Sequence, residues 1–248
     1  MKNYLKEKKI AIGLLSTLFV SSCGGVVSFA AEYPSPTKAK TDAAITFEKG
    51  EDPDKPVDPE DPDKPVDPVD PINPNGDELM LTYVSNFNFG SQKKTDSKWQ
   101  ALADRVYTDT SKSDTREVVP FVATKDVRGT DRKGWVITAR LESAFKDSNG
   151  NELKGAEMNL SNMNYIKEEG APLIVNEKVT LSTEAQEISK ATSENGVGNW
   201  SLALGQLQGT EGSKTTNGVE LNVPTTSTKN ATTYKTSIIW ELTADPTA

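Results

Sequence analysis

YKTSIIWELTADP, residues 234–246, puts Tyr234, Thr236, Ile238, Trp240 and Leu242 on every second position, with Lys235, Ser237, Ile239 and Glu241 in the gaps. Side chains of a β-strand point alternately to opposite faces, so this spacing predicts a strand with Trp240 and Leu242 neighbours on one face. The pattern has two echoes. GWVITARLE (134–142) aligns Trp135, Ile137, Ala139 and Leu141, and NWSLALG (199–205) aligns Trp200, Leu202 and Leu204. A Trp-x-aliphatic face is what a β core looks like, and a row of exposed indoles is what a sugar-binding face looks like. The spacing leaves both readings open.

Working outward, further runs of the same kind are ELMLTYVSNF (78–87), EVVPFVATKD (117–126), EMNLSN (157–162), EKVTLS (177–182) and VELNVP (219–224). Short strands divided by turn residues predict an all-β domain, sandwich-like or barrel-like. Asn-Gly pairs at 149–150, 195–196 and 217–218 are expected hairpin turns. Two stretches fit less well. Trp99, Leu102, Ala103 and Val106 of DSKWQALADRV fall at helical spacing, and TEAQEISKA (183–191) suits a short helix or a polar strand.

The chain begins with Lys2, Lys6, Lys8 and Lys9, then the apolar run IAIGLLSTLFV (10–20), then small residues around Ser28 and Ala30. The run is too short to span a bilayer, so residues 1–30 are expected to act as an export signal cleaved near Ala30. Val20-Ser21-Ser22-Cys23 offers the alternative of lipidation at Cys23. Cys23 is the sole cysteine and the chain has no histidine. Cleavage at Ala30 would therefore leave no disulfide, no His or Cys metal site and no nucleophile paired with histidine. Loss of Lys2, Lys6, Lys8, Lys9 and Glu7 takes the net charge from −8 to −11. Such a chain is repelled by nucleic-acid phosphates, and acidity is neutral toward uncharged glycans.

Residues 31–50 are expected to be a disordered mature N-terminus. From Glu51 the unit EDPDKPVDP occurs at 51–59 and again at 60–68 before decaying into VDPINPNG. Regular proline and aspartate predict a solvated, disordered polyproline-II spacer over 51–76, reaching about 70 Å. The β domain is then expected over 77–248.

Other chemistry is weakly encoded. KDSNGNELKG (146–155) spaces Asp147, Asn149 and Asn151 like the start of a calcium loop. Its glycine is misplaced, however, and position twelve is Met158, so a turn at Asn149-Gly150 explains it better. No motif pairs two carboxylates for glycoside hydrolysis, and Gly196-Val197-Gly198 lacks a nucleotide-binding context, so no enzyme and no cofactor are expected.

The terminal Tyr234-x-x-x-Ile238-x-Trp240-x-Leu242 with Pro246 is similar to the distal signature of WxL-domain surface proteins of low-GC Gram-positive bacteria. VRGTDRKGWVITARL (127–141) resembles that family's first signature, with Ile137 where leucine is usual. LTYVSNFNFGSQ (81–92), NWSLALG and VELNVP agree, as do the leader and the acidic spacer. The resemblance implies non-covalent attachment to cell-wall peptidoglycan through both motifs: Trp135 and Ile137 in the first, Trp240 and Leu242 in the second. It also implies assembly with other surface proteins, including a membrane-anchored WxL partner. The alternative is an adhesin or complex subunit that binds a partner protein or a host matrix protein. The C-terminal ADPTA has no LPxTG-like signal, so attachment is expected to rest on the folded domain.

Overall fold

A computed structural model describes residues 32–41, 43–45 and 55–244. The leader, with Cys23 and Ala30, lies outside the described residues. The chain divides into two units, Met1–Lys49 and Gly50–Ala248. In the first, β1 (Glu32–Ser35) and β2 (Lys38–Lys40) form an antiparallel hairpin across Pro36-Thr37, where the sequence predicts disorder.

In the second unit β3 (Asp67–Pro68) and β4 (Leu79–Val84) come first, then β5 (Lys98–Leu102), β6 (Asp104–Tyr107), β7 (Thr115–Val118) and β8 (Phe121–Asp126). β9 (Gly134–Leu141), β10 (Glu157–Ser161), β11 (Met163–Asn164), β12 (Leu173–Ile174) and β13 (Lys178–Leu181) follow. The chain continues through β14 (Gln186–Thr192), β15 (Gly198–Leu204), β16 (Leu207–Gln208), β17 (Thr215–Asn222) and β18 (Ile238–Ala244). No helix occurs among the described residues.

Pairing is antiparallel throughout. One sheet runs β11-β15-β8-β4, a second β12-β14-β9-β18, and a third β13-β10-β17-β16 with β5 also on β17. Sheets meet at their margins, with β17 near β15, β13 near β14 and β9, and β18 near β4. The all-β class holds, and the sheets form a propeller-like ring, which is not specifically a sandwich.

Each of these three sheets sends side chains into one core. Trp135, Ile137 and Ile188 come from the second, Leu160 and Val219 from the third, and Leu202 and Leu204 from the first. Each fully buried aliphatic contributes about 1.5–3 kcal/mol by leaving water. The first sheet is also covered on its other side. There Tyr83, Phe121 and Ala123 pack with Val66, Val106 and Val118 in a second cluster, beneath the small sheet β3-β6-β7. This double cover explains why β8 is buried at nearly every position. Tyr83 lies 4.8 Å from the Phe121 ring and donates its hydroxyl to Asp104 at 2.7 Å. Burial, then the Asp104 carboxylate, push the Tyr83 phenol far above its ordinary range.

The helical expectation for residues 96–106 is corrected. β5 and β6 occupy the stretch and pair with different partners, β17 and β7. Between them Ala103 donates its N–H to Lys214 O, and Leu102 donates to Asn88 O. Buried Ala101 and Val106 belong to two strands joined at a corner, and their combined spacing imitates a helix. TEAQEISKA takes the strand alternative as β14, with Ile188, Ser189 and Ala191 buried.

The solvated spacer is also corrected over residues 55–76. Its two repeats fold back on each other: Asp58 N donates to Lys64 O, Val66 N donates to Pro56 O, and Val57 bridges Pro65. Proline lacks a donor but keeps its carbonyl, so it suits this short edge pairing. Val66 enters the second core cluster, buried Asp58 pairs with Arg116, and Ser201 donates its hydroxyl to Val57 O at 2.6 Å.

Of the three Asn-Gly pairs, 149–150 and 195–196 turn the chain, with positive φ at Gly150 and Gly196. Asn217-Gly218 does not. It lies inside β17, where a Cβ at position 218 would sit 2.2 Å from Leu204 O. This glycine lets β17 cross close against the end of β15.

Candidate functional site

β9 and β18 lie side by side, with Leu242 opposite Ile137, Trp240 opposite Ala139 and Ala244 opposite Trp135. Residues directly opposed in an antiparallel pair share a face, so both motifs look to the same side of the sheet. Their depths differ. β9 is flanked by β14 and β18, and Trp135 and Ile137 are fully buried at 0% exposure. β18 is the last strand of its sheet, and there Trp240 and Leu242 are only partly buried against the core.

The first motif is sealed from outside. The Asn195-Gly196 turn closes over Trp135, and a Cβ on Gly196 (φ 71°) would meet Ala191 Cβ at 2.5 Å and the indole at 3.3 Å. Arg132 holds the turn by donating to Thr192 O and Asn195 O. Arg128 donates to Asp126 at 2.9 Å and to Gly134 O at 2.8 Å, fixing the entry to β9. Arg128 and Arg132, ahead of Trp135, are therefore clamps for the strand. Among the described residues the Trp135 indole N–H has no acceptor.

Trp240 instead lines a cleft of about 1170 Å³. Around it stand Phe87, Phe89, Trp99, Tyr234 and Ile238, drawn from segments far apart in sequence. Trp135, Ile137 and Leu242 do not line it. Phe87 and Phe89 follow β4 on a loop pinned where Asn88 O accepts the Leu102 N–H and Asn88 Oδ1 accepts the Gly90 N–H at 2.8 Å. Trp99 sits on β5 and packs against the core, and its indole N–H has no acceptor among the described residues. Tyr234 is oriented by its hydroxyl, which accepts the Asn230 N–H at 2.9 Å. Four lysines, Lys93, Lys94, Lys229 and Lys235, share the walls. Lys229 lies 5.5 Å above the Trp99 ring and donates to Lys94 O and Asp96 O at 3.2 and 2.8 Å.

Sequence reasoning named Trp240 and missed the rest of this cleft. FNFG (87–90), two aromatics on alternate positions before a glycine, carried a usable signal. Trp99 was hidden by its apparent helical spacing. Trp200, the third echo, is 8% exposed, donates its N–H to Val197 O at 2.9 Å and meets Tyr165 edge-on at 5.8 Å. It is a satisfied structural residue.

The Asp147 loop consumes its own ligands. Asp147 accepts the backbone N–H groups of Asn149 and Asn151 and the Asn151 side-chain amide at 2.9 Å. That amide, foremost, holds the Asp147 carboxyl below its ordinary value. Among the described residues no three His, Cys, Asp or Glu side chains gather as a metal cluster.

Fold and cleft together define an all-β domain with an aromatic groove. The model of the WxL family, described as a WxL domain of surface cell wall-binding proteins, matches residues 34–246. The chain belongs to the WxL family and is a cell-surface, wall-associated protein. That family is a wall-binding one and not an enzyme family. No curated protein and no solved structure matches the chain.

Proposed function

We propose that residues 1–30 direct export and that the domain then holds the protein non-covalently on the wall by binding peptidoglycan in the aromatic cleft. One observation carries this reading. Trp240 of the second motif shares an open groove with Trp99, Phe87, Phe89 and Tyr234, whereas Trp135 of the first motif is sealed. The apolar face of a pyranose stacks on such rings, and the backbone and amide groups of the loops supply hydrogen bonds to hydroxyls. In this reading Trp240 touches the glycan. Trp135 and Ile137 act by positioning β18, since a side chain at 0% exposure cannot meet a polymer without unfolding its cover, and Leu242, partly buried, packs on the core away from the cleft lining.

The test is retention of the intact chain by purified, protein-free peptidoglycan. Retention supports the reading. Loss of retention by a chain shown to be folded moves the function to protein partners. That second reading, a complex subunit or adhesin, is favoured by one feature: among the described residues β18 has a paired neighbour on one side only, and such an edge accepts another strand. Intact cells would then retain the protein and protein-free walls would not.

A further inference from the structure

We infer that the cleft takes a phosphate-bearing wall glycopolymer in addition to the peptidoglycan glycan, with its negative groups seated against Lys93, Lys94, Lys229 and Lys235. This rests on the reading that the cleft is the wall-contact site.

The chain carries 36 acidic and 28 basic residues, so a random surface of this size would hold more carboxylates than ammonium groups. The cleft reverses that balance: four lysines line it and no Asp or Glu does. These lysines also differ from others in the same domain. Lys55, Lys64, Lys98, Lys112 and Lys214 each pair with a carboxylate. Among the described residues none of the cleft lysines makes an ion pair. Asp70 accepts the amide of Asn86, a lining residue, and Asp96, two positions after Lys94, accepts the Thr95 hydroxyl.

Lys229 is placed with particular care. Two carbonyl oxygens hold its ammonium group over the Trp99 face, and one of its three donors is left over. An ammonium fixed by neutral acceptors keeps its full positive charge for a ligand. Lys93 and Lys94 stand on the loop after Phe89, and Lys235 lies beside Tyr234, so positive charge brackets the aromatic floor from two chain segments. This spacing suits a polymer with negative charge repeated along its backbone. Lysine binds phosphate as a point charge, so four ammonium groups spread over the lining suit phosphates repeated along a flexible backbone.

The experiment compares native walls with walls stripped of phosphodiester-linked polymers by hydrofluoric acid, using the intact chain and its Lys93→Glu/Lys94→Glu and Lys229→Gln variants. Lys93 and Lys94 are exposed and their substitution leaves the core untouched. Wild type is expected to bind native walls roughly tenfold better than stripped ones. The double variant should lose that advantage and bind both at the stripped-wall level. The advantage should also shrink as the Debye length falls from about 10 Å at 0.1 M salt to about 3 Å at 1 M. Equal retention on both walls, or a double variant that behaves as wild type on native walls, overturns the inference and leaves peptidoglycan binding intact. A folded wild type retained by neither wall overturns the wall-contact reading itself, and this inference with it.

Discussion

The two WxL motifs occupy paired positions on neighbouring strands, yet their tryptophans live in different surroundings. Trp135 on β9 is enclosed by strands on both sides and by the Asn195-Gly196 turn above it. Trp240, on the edge strand β18, opens onto the cleft. A shared pattern thus divides into a fully buried member that builds the sheet and a partly buried member that lines an open cleft. Position within the sheet, set by long-range pairing, makes the difference.

The largest expected effect comes from breaking the buried side. Trp135→Ala should cost about 3–5 kcal/mol, a large part of the stability of an ordinary domain, and give an unfolded or strongly destabilised protein in thermal denaturation. A folded Trp135→Ala protein with near-normal melting would contradict its core role. Gly196→Ala presses on the same residue from outside, at positive φ and against Ala191 Cβ, and is expected to cost about 1–3 kcal/mol. Its tryptophan fluorescence should change, while a chain that still folds keeps its wall retention.

Trp240→Ala separates binding from folding. Because the side chain is only partly buried, the stability loss should stay below about 2 kcal/mol by chemical denaturation. Wall retention should fall at least roughly tenfold, the loss of one stacking contact of about 1.4 kcal/mol or more. The smallest effect belongs to Ile137→Leu, which puts the usual family residue into a fully buried site of equal volume. It should shift stability by less than about 1.5 kcal/mol and leave retention unchanged. A large change in retention would mean that Ile137 governs the cleft more tightly than its distance from the lining suggests.

The strands bearing the motifs were legible because an unbroken two-residue period over 134–141 and 238–244 admits no other structure. Segments 98–102 and 104–107 were not, because a corner at Ala103 joins two short strands whose apolar residues add up to a helical spacing. The Pro/Asp repeats were misread for a related reason. They carry no apolar period, and their order comes from groups remote in sequence: Arg116 for Asp58, the Ser201 hydroxyl for Val57 O, and Val106 and Val118 around Val66. At the site, Trp240 was legible as a candidate. Its separation from Trp135 was not, since alternation assigns a face and never a depth. The remaining rings of the cleft arrive from loops and a misassigned strand, and only the folded chain gathers them.

The central claim, that the second motif contacts the wall through the cleft while the first supports it from within, is tested most directly by one paired measurement. Wild type and Trp240→Ala are incubated with protein-free peptidoglycan, with near-ultraviolet circular dichroism confirming that both are folded. The account predicts that wild type is retained and that folded Trp240→Ala is mostly released. Retention of folded Trp240→Ala at the wild-type level would contradict it.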